Sequence, residues 1–396
     1  MADRATGKAA SAHDWKLSAE LAQVTAHHRH GLASQQGPRL SLKFHYDRIV
    51  APGWRAVFSD DLDLGLQYAV AKGRHGSLSH TAVNTLKEAY LSRQWQSDYM
   101  LDVGRINIRY GVALGYNPTD YFRFNAIRTI SSLDPENLRR NRLGSVVLRG
   151  QKLWSGGSVT GLCSPRLASR PSPAAFSADL GASNGQTRCL LAINTRLATD
   201  FEPQFLLSQS EGKSPQFGLN LTWLLNDATV MFAEWSGGRN SRLLDDAFAQ
   251  ANGTAFRSQL AAGLTYTSAR NLTLTLEYDY NGRAADRSAW KALRAAPLPV
   301  LGAYLSHSQA AYEQASRQAI FAHLLWKDAL VSQLDIAAMT RLNPYDHSRN
   351  DWISAVYHGK QFDLGLQWQR NGGRGNSQYG LVPQRTIWQV AGIYHF

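Results

Sequence analysis

Apolar and polar residues alternate along most of the chain, with a period of two. The clearest runs are residues 40–46, 62–68, 217–223, 272–278 and 362–368. A period of two places alternate side chains on opposite faces of a β-sheet. Long strands with one apolar and one polar face are typical of transmembrane β-barrels.

A large soluble sandwich or propeller is the alternative, because its strands also alternate. Aromatic residues gather near the ends of the alternating runs, as in the interfacial girdles of membrane barrels; they include Trp15, Trp95, Trp223, Trp326, Trp368 and Trp388. No repeat of the length of a propeller blade is present. The pattern therefore favours the membrane barrel.

The connections between the runs test this prediction. Short turns are expected near residues 49–53, 96–97, 153–156, 197–202, 226–227, 268–271, 328–329 and 360. Long polar loops are expected at 27–37, 71–82, 109–141, 164–186, 237–254, 282–315, 342–350 and 371–384, with a shorter one at 211–215. The two kinds alternate, which predicts an all-β fold: an antiparallel up-and-down barrel of eighteen strands, with short periplasmic turns and long extracellular loops. Sixteen strands remain the alternative, if residues 157–163 and 203–210 are loops.

Composition narrows the class further. The chain has 396 residues, of which 18% are charged, and no segment approaches the roughly 18 apolar residues of a membrane-spanning helix. Its start, Met1-Ala2-Asp3-Arg4, lacks the basic and apolar stretches of a secretory signal, so we expect a form without its signal peptide. We expect residues 1–14 to be an N-terminal periplasmic segment and 15–396 a single barrel.

The last strand, residues 386–396, has a polar residue, small residues and two terminal aromatics. Gln389, Tyr394 and Phe396 fit the assembly signal of Gram-negative outer-membrane barrels, while Ala391 occupies its glycine position and Gly392 follows it. The chain thus resembles outer-membrane channels, including eighteen-stranded specific porins and alginate exporters. This resemblance implies an outer-membrane location, insertion by the barrel-assembly machinery, and contact with outer-membrane lipid and lipopolysaccharide.

Barrels of this size usually enclose an aqueous channel, so a loop must narrow it. The third outer loop, 109–141, is the best candidate, because it carries more aromatic residues than an exposed loop normally does. Its position resembles the inward-folded constriction loop of general porins. An ordered outer lid, or contact with lipopolysaccharide, is the alternative.

Cationic side chains on the polar face are predicted to line the lumen. On the strands and turns they are Arg39, Lys43, Arg149, Arg196, Arg257 and Arg317, and at the third loop they are Arg105, Arg109, Arg123 and Arg128. Asn107 lies between two of them, and Asp120 is expected to return over Arg105 and Arg109 as an ion-pair partner. Arginine-lined pores favour anions. Pairing with acidic residues, or contact with lipopolysaccharide phosphates, is the alternative role for these cations.

Other chemistry has little support. His27-His28-x-His30 has no acidic or cysteine partner nearby, and no catalytic or phosphate-binding motif is present, so we expect no metal, no cofactor and no enzyme. The net charge of +12 is spread along the chain, which argues against nucleic-acid binding. Whether Cys163 and Cys189 form a disulfide stays open.

Three functions therefore remain. The first is an outer-membrane channel for polar, preferably anionic solutes, narrowed by residues 109–141. The second is export of an anionic exopolysaccharide, and the third is a structural or receptor barrel plugged by its loops.

Overall fold

The computed structural model describes residues 14–29, 33–71, 74–172, 174–250 and 252–396. These residues form one sheet of eighteen strands. The strands are β1 (Trp15–His28), β2 (Ser34–Ala51), β3 (Trp54–Ala71), β4 (Arg74–Trp95), β5 (Tyr99–Ile106), β6 (Ser145–Trp154), β7 (Gly157–Ser164), β8 (Arg188–Thr195), β9 (Gln204–Ser210), β10 (Gln216–Asn226), β11 (Thr229–Asn240), β12 (Ala255–Thr267), β13 (Leu272–Asn281), β14 (Gln318–Trp326), β15 (Leu334–Leu342), β16 (Arg349–His358), β17 (Phe362–Gly372) and β18 (Gln384–His395).

The sheet closes on itself as an antiparallel barrel. Each strand pairs with the next one along the chain, and β1 also pairs with β18, with Ala22 opposite both Arg39 and Ala391. Closure leaves the barrel wall without a free sheet edge in the membrane, which a bilayer requires. The predicted eighteen strands are confirmed, and the alternative of sixteen is wrong because β7 and β9 are both paired strands.

The two faces of the wall have opposite chemistry. On β13, Leu276 and Tyr278 are 44% and 41% exposed, whereas Glu277 and Asp279, which alternate with them, are 3% and 1% exposed. Apolar side chains therefore point outward and polar ones inward, as in a barrel surrounded by lipid. Exposed tryptophans near the strand ends complete the outer face: Trp15, Trp54, Trp95, Trp154, Trp223 and Trp388.

Two of the predicted long loops are wrong. Residues 71–82 belong largely to β3 and β4, which end and begin at Ala71 and Arg74, and the predicted loop 27–37 shortens because β1 and β2 reach His28 and Ser34. Alternation is a poor guide here because the apolar face is needed only within lipid. Residues 78–80 are exposed on both faces of β4.

Five short helices lie in the long loops. They are α1 (Pro135–Arg140), α2 (Leu180–Ser183), α3 (Leu243–Ala247), α4 (Arg287–Ala295) and α5 (Leu298–Ala310). None of the helices in the described ranges is long and apolar enough to cross a membrane. Asp134 and Asp286 cap α1 and α4 through their side chains, which satisfies backbone N–H groups that each helix start leaves free.

Loop 282–315 forms a small core of its own. Trp290 and Leu293 of α4 pack with Leu301 and Tyr304 of α5, and Leu243 of α3 joins them. The Tyr304 hydroxyl donates to Ala315 O at 2.6 Å and accepts from Ala285 N at 3.0 Å, so the buried phenol has two partners. We call this unit, α3 to α5 with its connecting residues, the helical cap.

Cys163 and Cys189 form a disulfide. They face each other directly across β7 and β8, with their Cα atoms 4.1 Å apart. The bond joins both ends of loop 164–186 at the barrel wall.

Candidate functional site

The segment between β5 and β6, residues 107–144, enters the barrel; we call it loop 3. Its backbone N–H groups at Val112, Ala113 and Thr119 donate to Glu234 of β11 at 2.9, 3.1 and 2.7 Å. Glu234 is 0% exposed and has no cationic partner among the described residues. Backbone donors of loop 3 therefore neutralise a buried carboxylate on the wall.

A second wall carboxylate, two strands further along the barrel, also accepts hydrogen bonds from the backbone of loop 3. Glu277 of β13 accepts from the backbone N–H groups of Leu114, Gly115 and Tyr116 at 2.9, 3.0 and 2.8 Å. Gly111 and Gly115 let the loop approach this closely, since a Cβ on Gly111 would lie 2.6 Å from Glu234 Oε2. Two wall carboxylates thus fix one continuous stretch of loop backbone.

Apolar contacts cover another part of loop 3. Ile108 and Phe122 are buried against Leu162, Leu190 and Leu206, which belong to the inner faces of β7, β8 and β9. Such inward apolar residues would be costly in a water-filled lumen. The aromatic content of the loop, noted in the sequence, has this physical reason.

Asp120 does not pair with Arg105 or Arg109, so that prediction is wrong. Its carboxylate forms a bidentate ion pair with Arg142, at 2.7 Å to Nη1 and 3.0 Å to Nη2. Arg142 also donates to Asn107 Oδ1 at 3.1 Å, and Asn107 donates to the carbonyls of Arg139 and Arg140. These contacts tie the two ends of loop 3 together.

Arg105 and Arg128 bind backbone carbonyls. Pairing between β4 and β5 starts at Ala89, which leaves the carbonyls of Asn84 and Leu86 without a strand partner on that side. Arg128 donates to Asn84 O at 2.6 Å and Arg105 to Leu86 O at 3.3 Å. Arg105 is 3% exposed and also donates to Ala178 O at 2.5 Å, so its position is structural.

Arg109 has the opposite environment. Its side chain is exposed, and it has no hydrogen bond or ion pair with any residue in the described ranges. Of the three residues that alternate at the end of β5, Arg109 is therefore the exposed one without a partner in the described ranges.

Arg123 lies in a buried network between loop 3 and the helical cap. It pairs with Glu313 at 2.7 Å, and Glu313 also accepts from Tyr116 Oη at 2.7 Å and from Gln259 Nε2 at 2.9 Å. Burial by itself raises the pKa of Glu313, but the charges of Arg123 and Arg283 and the hydrogen bond from Tyr116 outweigh it, so that pKa lies below its usual value. Glu313 is therefore an ionised link between both loops.

The other predicted lumen cations mostly have acidic partners. Arg39 and Lys43 both bind Glu20, the latter at 3.2 Å, and Arg149 binds Asp102 at 2.7 Å. These pairs reduce the positive charge that the sequence predicted for the lumen.

Three predicted cations lie near the ends of the barrel. Arg196 lies in the turn after β8 and pairs with Glu202 at 2.5 Å, so it does not line the lumen wall. Arg257 donates to the carbonyls of Asn240 and Gly282, and Arg317 pairs with Asp286 at 3.4 Å. Both belong to the rim near the helical cap.

A cavity of about 980 Å³ lies between loop 3, α5 and the inner faces of β1–β4 and β13–β18. Its wall residues, such as Gln35, Asn350 and Gln384, belong to the strand ends next to the long loops. We call it the vestibule. The cations that line it are Arg39, Arg123, Arg139, Arg142 and Arg341.

Sequence reasoning missed the residues that hold loop 3. Glu234, Arg142 and Glu313 were not singled out. Alternation offered a signal for Glu234. Phe232 and Ser236 lie on the same face of β11 as Glu234, whereas Met231 and Trp235 lie on the opposite face. Glu313 and Arg142 lie in loops, where no period applies.

Metal binding gains no support from the described ranges. There, no group of three or more His, Cys, Asp or Glu side chains is arranged to hold a metal ion. His30 of the sequence cluster, and residues 1–13 of the predicted periplasmic segment, lie outside these ranges.

Together, these features define a closed antiparallel barrel of eighteen strands, with an apolar outer face and an inward-folded loop. Solved Occ channels have the same fold. Pseudomonas aeruginosa OccK7 (OpdD) is 11% identical, with a TM-score of 0.57 over 97% of this chain and 99% of that one. Acinetobacter baumannii OccAB1 is 8% identical, with a TM-score of 0.55 over 96% of each chain. P. aeruginosa OccK8 (OprE) is 10% identical, with a TM-score of 0.53 over 97% of this chain and 98% of that one.

Because the sequence identities are only 8–11%, the likeness concerns the fold alone. At the level of the fold, it confirms the predicted resemblance to eighteen-stranded specific porins. No protein-family model matches the chain, and no curated protein sequence matches it.

Proposed function

We propose that this chain is an outer-membrane channel that passes polar solutes, preferentially anions, through a lumen narrowed by loop 3. The vestibule carries the proposal: about 980 Å³ of space remains beside a loop that six backbone hydrogen-bond donors fix to the wall. A fixed loop narrows a pore without closing it. The lipid-facing apolar wall supports an outer-membrane location, with lipopolysaccharide around the outer rim and insertion by the barrel-assembly machinery.

The proposed anion preference rests on fewer residues than the sequence suggested. Arg109, Arg139 and Arg341 have no carboxylate within ion-pair distance in the described part of the chain; Arg139 donates to the carbonyls of Tyr110 and Gly111 at 3.1 and 3.2 Å. Uncompensated guanidinium groups beside a pore replace part of the hydration of a passing anion. We therefore assign the preference to these three arginines.

Swelling of proteoliposomes tests the channel function. We expect vesicles containing the folded protein to swell in an isotonic solution of a small polar solute, and to remain unchanged in a dextran too large for the vestibule. The inserted protein is shown to be folded by its heat-modifiable mobility on a gel. If vesicles containing this folded protein swell in neither solution, the result would contradict the proposal. The alternatives, polysaccharide export and a plugged receptor, gain no specific contact from the described residues.

A further inference from the structure

The vestibule is lined by more carboxamide side chains than charged ones. Six glutamines on its wall have side chains without a hydrogen bond to any residue in the described ranges: Gln35, Gln67, Gln309, Gln369, Gln384 and Gln389. They come from β2, β3, β17 and β18, which together with β1 form one continuous arc of the wall, and from α5. Each carboxamide offers two donors and an acceptor to whatever enters.

Strand pairing fixes the spacing of these groups. Gln369 of β17 lies opposite Ile387, Ile387 lies opposite Ala26, and Ala26 lies opposite Gln35 of β2. Three strand intervals therefore separate Gln369 from Gln35, about 14 Å along the wall. That span is comparable to the length of a disaccharide.

Apolar side chains lie between Gln369 and Gln35. Ile387 of β18 and Ala26 of β1 occupy the two wall positions between them, and Val24 of β1 also lines the vestibule. This part of the wall is therefore apolar, with hydrogen-bonding groups on both sides. Such a wall suits a ring whose hydroxyl groups point sideways.

Three of the five cations that line the vestibule are compensated by carboxylates within the protein. Arg39 is paired with Glu20, Arg123 with Glu313 and Arg142 with Asp120. A guanidinium group held by a buried carboxylate has less capacity to bind a second anion. The uncompensated hydrogen-bonding capacity of the cavity therefore belongs mainly to neutral groups.

Two tyrosines add an apolar surface. Tyr312, which follows α5, and Tyr379, which lies in the loop before β18, both line the vestibule. Aromatic rings offer a flat apolar face together with a polar hydroxyl. This combination suits the C–H face of a sugar ring.

We propose that the vestibule binds uncharged, hydroxyl-rich solutes of the saccharide class, through its glutamine side chains. Hydroxyl groups donate and accept at the same atom, which carboxamides match and lone charges do not. This inference rests on the proposed channel function and gives it a substrate class. The anion preference for small ions is a separate property of the three uncompensated arginines.

Block of ion current by maltose tests the inference. We would record the wild-type protein in a planar bilayer in KCl and add maltose on the long-loop side. The current is expected to fall with a saturable dependence on maltose concentration. A polyethylene glycol of similar mass, which accepts hydrogen bonds but has few donors, is expected to block less, and citrate serves as the anionic comparison.

Two variants connect the block to the glutamines. Gln35→Leu with Gln369→Leu retains side-chain volume and is expected to weaken maltose block about tenfold, as two lost hydrogen bonds imply. Gln23→Leu is the matched control, because Gln23 lies on the outer face of β1, opposite the exposed Val390. It is expected to leave the block unchanged.

The outcomes separate the two proposals. Block by citrate but not by maltose, or equal block in the glutamine variant and the control, would overturn the saccharide inference while leaving the channel intact. Absence of any ion current from inserted protein would contradict the channel instead. If no current is observed, calorimetric titration of the detergent-solubilised wild type with maltose tests the saccharide inference by itself. A heat of binding would support the inference, and its absence would overturn it. If the double variant fails to insert into the bilayer, the same titration is used in place of the current measurement.

Discussion

Thr119 donates two hydrogen bonds to the same oxygen of Glu234, from its backbone N at 2.7 Å and from its hydroxyl at 2.8 Å. The pair joins the middle of loop 3 to β11, far along the chain from β5 where the loop begins. Because Glu234 is fully buried and has no described cationic partner, its charge depends on these loop donors. The position of loop 3 inside the barrel therefore depends on a carboxylate outside the loop.

Replacing Glu234 with glutamine is expected to loosen loop 3. The amide group of glutamine turns one acceptor into a donor that faces other donors, and each charge-assisted hydrogen bond contributes roughly 1.5–3 kcal/mol. We expect about 3 kcal/mol less stabilisation of the loop, visible as a larger and noisier single-channel current.

Glu88→Gln provides the control for that measurement. It also removes an acidic side chain of β4, but Glu88 makes no hydrogen bond with loop 3 among the described residues. Similar current noise in both variants would show that charge, and not attachment of the loop, governs the pore.

Asp120→Asn should destabilise loop 3, since it leaves Arg142 buried and unpaired. Breaking a buried ion pair from one side costs about 3–5 kcal/mol. The double variant Asp120→Leu with Arg142→Met is expected to recover part of that loss. Proteolysis of the loop in detergent-solubilised protein, followed over time, measures both; cleavage of the single variant at the wild-type rate would contradict the role of this pair.

Arg105 and Arg109 are expected to differ although they lie four residues apart. Arg109→Gln should leave folding unchanged and lower the anion-to-cation permeability ratio by about 2- to 3-fold, as one unit charge about 7 Å from an ion in water would. Arg105→Gln should instead lower the melting temperature, because two backbone carbonyls lose their donor. Thermal unfolding and reversal potentials of both variants test this division, which fails if their effects are interchanged.

Acid should release the link between loop 3 and the helical cap. The folded-state pKa of Glu313 lies below its usual value, so its ionisation stabilises the link fully above the unfolded pKa of about 4.3 and progressively less as pH falls towards the folded pKa. We expect a constant single-channel current from pH 7 to 5 and a change below about pH 4.

Glu313→Gln should show that acid behaviour already at pH 7. Glu202→Gln, in an exposed turn, is the control and should follow the wild type. A wild-type current that changes between pH 7 and 5 would assign the response to other groups.

The disulfide is expected to affect stability and leave conduction unchanged. Cys163 and Cys189 are separated by 26 positions, for which loss of loop-closure entropy in the unfolded chain corresponds to about 3.5 kcal/mol. The double Cys→Ser variant should therefore unfold at a lower temperature and carry the same current. An altered current would indicate that loop 164–186 shapes the pore.

Much of the barrel was predictable because lipid imposes a strict pattern. An apolar outer face forces alternation, which predicted the inward side of the wall. The alternation of short and long connections predicted eighteen strands, and only the weak strands β7 and β9 were left open. The same reasoning failed at residues 71–82, where β3 and β4 extend beyond the region in which an apolar face is required. Alternation predicts strands only where the two faces meet different solvents.

The site was less predictable because its contacts join distant segments. The sequence indicated that residues 109–141 would pack inward, and several cations were found where expected. It did not reveal that Asp120 binds Arg142, or that Glu20 and Glu313 compensate Arg39 and Arg123. Pairing between a loop and a wall strand depends on how the loop folds, which no local pattern specifies.

Single-channel recording in a planar bilayer under a KCl gradient measures conduction and ion selectivity in one experiment. We expect a steady open state without added ligand, with a reversal potential displaced to the anion-selective side. Protein that is demonstrably folded and inserted but carries no current, or a reversal potential on the cation-selective side, would contradict it.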